Sequence, residues 1–412
     1  MSFPSGRTIH PERSKKDASL FKILAGIGIV GIVAVGVIQF SVWFQNRITS
    51  EIEAEAVDTL FEAERLILSG DADGALELLA PILDRVDNPD ITPKALLLQA
   101  QIHQDAERLE ETKIVLKQII DMYSDSTEYP TAATRYARLL EEEGSMPEAL
   151  ALYREIRATA PSALRAPATT ALARDKQRNN DLDGAQTMYI EAMDEAPWDS
   201  DAWIEASTLL GEVNTQLLFS TSPTPDSKLY TVMPGDSLTS IGSKLNITQG
   251  QLLRANGLSN PDMLRLNRTL KYTPKDFHII IERSSCRIFV MDRKGIFKIY
   301  SAGLGGQGND TTLGKYKIGN KEKNPVWHKP GSTPIPSGDP ENELGTRWLP
   351  MVPEEEGLPR DLGIHGTIQP DSIGLYSSKG CPRMHNAEVE ELYDLIVRST
   401  LVRVVEVYTP SS

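Results

Sequence analysis

Cysteine is scarce in this chain: its 412 residues include two, Cys286 and Cys381. A disulfide framework is thereby excluded as the source of stability, and both thiols are expected to be free. Cys286 precedes a Val/Ile-rich stretch and reads as a small buried hydrophobe. Histidine is almost as rare. His10, His103, His278, His328 and His385 are scattered, and with His365 they form no ligand spacing, so no metal and no cofactor are expected. A basic patch is also missing. The chain carries −14 overall; residues 229–273 hold 5 basic against 2 acidic residues, and 274–412 hold 17 against 18. Nucleic acid is excluded as a partner on that ground. The acid is concentrated in residues 51–213, with 34 Asp/Glu against 14 Lys/Arg. Such a surface either meets a partner or is the solvated side of a set of helices, since charge acts mainly on solubility and encounter.

The length calls for two to four domains. Residues 23–46 are 24 positions without a charge, mostly Ile, Val, Gly and Ala. As a helix they would span about 36 Å, enough for a hydrocarbon core of about 30 Å. Arg7, Arg13, Lys15, Lys16 and Lys22 precede the run, and acidic residues begin at Glu51. The positive-inside bias makes 1–22 a cytoplasmic tail and 23–46 a single transmembrane helix, with Trp43 and Phe44 at the outer interface and the remainder outside. A cleaved signal peptide fits less well, because the run is long and no small-x-small site follows it.

Residues 51–215 repeat internally. Gly70-Asp71-Ala72-Asp73-Gly74-Ala75-Leu76 matches Gly144-Ser145-Met146-Pro147-Glu148-Ala149-Leu150 and Asn180-Asp181-Leu182-Asp183-Gly184-Ala185-Gln186, with a fainter copy at Glu110-Glu111-Thr112. Positions 75, 112, 149 and 185 are 37, 37 and 36 residues apart. Pro161 and Pro197 follow their repeat alanines by 12 residues and stop a helix. This resembles tetratricopeptide repeats, an all-α solenoid that either binds a protein partner on its concave side or serves as a spacer.

Residues 216–228, with Ser220-Thr221-Ser222-Pro223-Thr224-Pro225, read as a linker. Residues 229–273 follow, with Tyr230-Thr231-Val232-Met233-Pro234-Gly235-Asp236-Ser237-Leu238, then Asn246-Ile247-Thr248 and Leu252-Leu253-Arg254-Ala255-Asn256-Gly257. The turn, the capping residues Asp236 or Ser237 and the closing glycine fit a small βααβ unit. The stretch resembles a LysM module. That resemblance implies binding to the glycan of peptidoglycan, near Gly235, Asp236, Ser237 and Ile247, or else a packing module without sugar affinity.

The remaining residues, 277–408, carry the chemistry. Three short strands are expected over 278–283, 287–292 and 296–303, a Val-rich strand over 401–408, and an amphipathic helix with Val389, Leu392, Tyr393 and Ile396 on one face. His365-Gly366-Thr367 precedes Ser378-Lys379-Gly380-Cys381-Pro382-Arg383, with the cysteine 16 positions after the histidine. A thiol in a glycine-bearing turn before a helix, with an imidazole to take its proton, is the layout of a cysteine acyl-transfer enzyme. These segments, with Asn324-Pro325-Val326-Trp327 and Ile335-Pro336-Ser337-Gly338 through Arg347-Trp348, closely resemble the L,D-transpeptidases of the YkuD type.

The resemblance implies a mostly β fold with its site on loops. It makes Cys381 the nucleophile and His365 the base, with the Gly366 carbonyl orienting the ring. The N–H groups of Gly380 and Cys381 become oxyanion donors, and Ser378 and Arg383 shape the loop or meet a substrate carboxylate. The implied reaction releases D-alanine from a peptidoglycan stem peptide and passes the acyl group to an amine. A carboxypeptidase using water and a silent cell-wall scaffold are the alternatives. Three positions depart from the family pattern: Lys379 stands where many members have histidine, Pro382 replaces an aliphatic residue, and Thr312 replaces proline. The whole is expected to be a multidomain protein of the bacterial inner membrane, with one membrane-spanning helix and its catalytic domain outside the cytoplasm.

Overall fold

The structure is a computed structural model that describes residues 51–328, 331 and 333–410, together with 39, 43 and 47. The expected membrane-spanning run, 23–46, lies outside the described residues apart from 39 and 43. Among the described residues no helix is long and apolar enough to cross a membrane. The two longest show why: helical residues 51–69 carry six acids and Arg65, and the 19-residue helix Asp201–Phe219 carries Asp201, Glu205 and Glu212. Two expectations are thereby corrected, the single transmembrane helix and the single-pass inner-membrane location that followed from it.

The chain divides into two compact units after Gly144. The first contains α1 (51–69), α2 (Ala72–Arg85), α3 (Thr92–Asp105), α4 (Leu109–Met122) and α5 (Tyr129–Glu142). Gly70, at φ +85°, ends α1, and Asp71 caps α2 by accepting from the Gly74 N–H at 3.0 Å. Leu60, Ala63, Ala75, Leu79 and Ala95 form one core and Leu96, Leu116, Ile119 and Ala132 another. Alanines at these contacts let helix backbones approach closely.

The second unit begins with α6 (Met146–Thr159), α7 (Ser162–Arg178), α8 (Leu182–Glu195) and α9 (Asp201–Phe219). Asp181 caps α8 as Asp71 caps α2. Pro161 and Pro197 fall just beyond α6 and α8. The four equivalent repeat positions Ala75, Thr112, Ala149 and Ala185 are all fully buried.

The LysM-like module pairs β1 (Lys228–Thr231) with β2 (Thr269–Tyr272) in antiparallel register around α10 (Leu238–Leu245) and α11 (Gln249–Arg254). Ser237 is the cap of α10, in a reciprocal box with Ser240. Asp236 instead accepts from the Met233 N–H and the Tyr230 hydroxyl, both at 2.8 Å. The module is docked at both ends. Lys271, buried, donates to the Leu217 and Ser220 carbonyls at the end of α9 (3.1 and 2.6 Å). Residues 216–219 of the expected linker are thus the last turn of α9, with Leu218 buried in the core.

The catalytic region comprises β3 (His278–Glu282), β4 (Arg287–Asp292), β5 (Gly295–Ser301), β6 (Leu304–Gly305), β7 (Gly314–Ile318), β8 (Glu322–Lys323), β9 (Arg347–Pro353), β10 (Gly363–His365), β11 (Tyr376–Ser378), α12 (Asn386–Leu395) and β12 (Leu401–Val405). Among the described residues the main sheet has eight strands in the order β10-β9-β7-β12-β3-β4-β5, with β8 also on β9. β12 runs parallel to β3, and the other pairs are antiparallel. Alternate residues serve two cores. Ile279, Ile281, Ile288 and Val290 pack with Val389, Leu392 and Leu395 of α12. Ile280, Phe289 and Met291 pack with Ala166, Ala196 and Trp203 of the repeat helices. The unbroken apolar run of β3 reflects a strand covered on both faces. The Asn214 side chain of α9 reinforces this seam by donating to the Phe297 carbonyl at 2.8 Å.

Candidate active site

Backbone pairing joins the two halves of the site. β10 ends in His365 at the rim of the sheet, where it pairs with Trp348 of β9. The His365 N–H donates to the Pro382 carbonyl (3.1 Å) and the Met384 N–H to the His365 carbonyl (2.9 Å). The residues immediately after the thiol therefore run beside the strand that carries His365. On the other side, β11 pairs in parallel with β6 and feeds into the thiol turn. Gly380 there adopts φ +111°, a conformation that favours glycine.

His365 is buried, and its Nδ1–H donates to the Gly366 carbonyl at 2.6 Å. A carbonyl can only accept, so the proton is assigned to Nδ1 and Nε2 is the basic nitrogen. Burial pushes the imidazole pKa down to about 4; the Gly366 and Glu343 carbonyls oppose this and the Arg383 charge adds to it. Cys381 is partly exposed, with Sγ 3.7 Å from the Asp361 carbonyl. Desolvation raises its thiol pKa, and the Gly363 N–H pulls the other way. Burial therefore favours the neutral form of each group.

The remaining site residues are sorted by their partners. The Gly380 N–H donates to Ser378 Oγ (3.2 Å), whereas the Cys381 N–H has no partner among the described residues. Of the two N–H groups expected to face an oxyanion, Cys381's is uncommitted and Gly380's is held by Ser378. Arg383, also buried, reaches Gln369 Oε1 and Glu343 Oε2, both at 3.3 Å. Its Nε is buried without a hydrogen bond. Lys379 is exposed and Cys286 buried.

Two residues escaped the sequence reading. Thr311 accepts from the Gly305 N–H (3.0 Å) and donates to the Gly380 carbonyl (2.8 Å), fixing the thiol turn from outside. Asn386, first residue of α12, accepts from the N–H groups of Thr346 and Thr367 and donates to the Thr367 carbonyl. Thr311 was visible in the sequence only as a neighbour of the atypical Thr312. An asparagine five residues past the cysteine carries no local signal for a contact with residue 367.

In the LysM-like module, Gly235, Asp236 and Ser237 line one side of a cleft of about 500 Å³, faced by Pro261, Asp262 and Arg265. Ile247 is not part of it: its side chain is buried in the module's own core with Leu238, Ile241 and Leu252. Among the described residues no group of three or more His, Cys, Asp and Glu is placed to hold a metal.

Comparison with known proteins finds three family models along the chain. Residues 276–404 match the L,D-transpeptidase catalytic domain (YkuD), residues 230–273 the LysM domain, and residues 22–207 a tetratricopeptide repeat-like domain. The putative L,D-transpeptidase YkuD of Bacillus licheniformis is 28% identical over 193 residues, 43% of this chain and 98% of that one. Among solved structures, an L,D-transpeptidase from Mycobacterium smegmatis is 12% identical with a TM-score of 0.27, over 34% of this chain and 63% of that one. The catalytic domain of an E. faecium L,D-transpeptidase is 19% identical with a TM-score of 0.26, over 32% and 97%. The putative L,D-transpeptidase YqjB of Bacillus subtilis is 32% identical over 134 residues that make up 32% of this chain and 73% of that one. At that identity over most of a relative's length, the chain belongs to the L,D-transpeptidase family.

Proposed function

We propose that this chain is a peptidoglycan L,D-transpeptidase acting through a cysteine thioester. The observation that carries this reading is the pairing of the His365 strand with residues 382–384, which ties a buried, Nδ1-anchored imidazole to the turn of a partly exposed thiol. Nε2 of His365 takes the proton of Cys381, and the thiolate attacks the carbonyl joining the third stem residue to the terminal D-alanine. The carbon–nitrogen bond breaks, His365 returns the proton to the departing amine, and D-alanine leaves a thioester. An incoming amine then gives its proton to His365, attacks the thioester carbonyl and displaces the sulfur. The proton passes back to the thiolate, restoring the neutral pair. The Cys381 N–H faces the developing oxyanion, a contact typically worth about 3 kcal/mol of barrier.

The acceptor is a second stem peptide, giving 3→3 cross-links, or a protein amine or D-amino acid attached to the wall. Peptidoglycan is the partner that both the LysM and the L,D-transpeptidase domains imply. Its glycan is assigned to the cleft of Gly235, Asp236 and Ser237, a reading supported by the LysM match. The helical repeats are left to hold a protein partner or to space the other modules.

The test is incubation of the full chain with disaccharide-tetrapeptide and analysis of the products by mass. Cross-linked dimers that disappear with Cys381→Ala are the expected result. Loss of D-alanine without dimers would favour the carboxypeptidase. No product and no covalent adduct on Cys381 would leave a silent scaffold.

A further inference from the structure

We propose that Asn386 is a positioning residue for the base, acting through the peptide group between Gly366 and Thr367. This deepens the acyl-transfer reading and rests on it. The carbonyl end of that peptide accepts the Nδ1–H of His365 at 2.6 Å. Its N–H end donates to Asn386 Oδ1 at 3.2 Å. The imidazole, one peptide plane and the asparagine amide thus form a chain of hydrogen bonds in which each member polarises the next.

The asparagine is itself fixed. Its Oδ1 also accepts from the Thr346 N–H (3.2 Å), and its Nδ2 donates to the Thr367 carbonyl (2.9 Å). Three segments converge on it: the 345–347 loop, the turn after β10 and the start of α12. Glycine lines the approach. A Cβ on Gly366 would lie 2.1 Å from Asn386 Oδ1 and one on Gly345 2.3 Å. Two other residues bear on the ring: Arg383, on the segment after the thiol, through its charge, and Glu343, whose backbone carbonyl meets the imidazole and whose carboxylate holds that arginine. Neither touches the 366–367 peptide through a hydrogen bond. Asn386 is the side chain that holds it.

Two variants separate this role from simple packing. Asn386→Ala removes the acceptor of the Thr367 N–H; the Gly366 carbonyl becomes a poorer acceptor and the imidazolium is less stabilised. Asn386→Asp keeps an acceptor for both N–H groups and adds negative charge at the end of the chain. The first readout is the pH titration of His365 by NMR in the full-length chain with labelled histidine, the signal assigned by His365→Gln. The second is the pH profile of Cys381 acylation by imipenem, followed by intact mass.

The expected result is a His365 pKa lowered by Asn386→Ala and raised by Asn386→Asp. The acid limb of acylation moves in the same two directions, and the maximal rate for Asn386→Ala drops at least tenfold. An unmoved His365 pKa in both folded variants, or a rate loss without movement of the limb, overturns the proposal. If one variant fails to fold, the sign of the shift in the other decides. Failure of the acyl-transfer reading is distinguishable: the wild-type chain then gives no Cys381 adduct while its His365 titration is still measurable.

Discussion

The burial of the His365 imidazole has consequences for pH. The folded imidazole titrates at about 4, below its ordinary value of about 6.5, so between these limits the unfolded chain binds more protons than the folded one. Stability therefore rises with pH across that window and is lost as pH falls through it, by at most about 3 kcal/mol. Denaturant midpoints at pH 7 and pH 4.5 should differ by less in His365→Gln than in the wild type. Acylation should be level above about pH 5, with its acid limb near the folded value. Gly366→Ala places a methyl on the Asn386 amide and should cost at least tenfold in kcat/KM, with an overpacking loss of about 1–3 kcal/mol in a thermal melt. That the His365 and Cys381 segments meet was legible in the sequence, because glycines and a proline-containing loop surround them in a recognisable order. Thr311 was not, because it meets Gly380 69 positions away and side chain-to-backbone bonds of that span leave no local pattern.

At the scale of elements, α12 joins more than its length suggests. Its first residue braces the turn after β10, and its last turn receives the LysM-like module. Thr248 Oγ1 donates to the Asp394 carbonyl and Gln251 Nε2 to the Leu395 carbonyl at 3.0 Å, while Arg254 reaches over the Phe219 ring of α9 at 3.4 Å. A Cβ on Gly250 would fall 2.1 Å from Asp394 Oδ1, so only glycine allows α11 this close. Gly250→Val should separate α11 from α12. The expected readout is faster proteolysis within 220–228 and a lower melting temperature, with the secondary structure of the module retained. The βααβ order, its caps and the repeat helices were legible, since caps, prolines and apolar periods are local signals. Where these elements dock was not, because Gln251 and Lys271 look like ordinary surface residues until they find carbonyls on another element.

At the scale of the molecule, residues 145–412 behave as one body in which repeats α6–α9 roof the catalytic sheet. Trp198 stacks on Phe289 at 6.4 Å and meets Tyr408 edge-on at 5.8 Å. Removing the helices would uncover Ile280, Phe289 and Met291, each worth about 1.5–3 kcal/mol when buried. A fragment of residues 229–412 should accordingly aggregate or unfold, while 145–412 should melt in a single transition and still acylate at Cys381. The sequence separated the repeats from the LysM-like module at a Pro/Ser-rich stretch, yet β3's uninterrupted isoleucines were the sign that something must cover both sides of the sheet. The LysM-like cleft is fixed to the same body, clasped by α9 at one end and α12 at the other. The module is thus held by packed elements on two sides and not by residues 220–228 alone. Under the proposed function, a glycan strand seated there would approach the thiol from a side set by packing rather than by a loose leash.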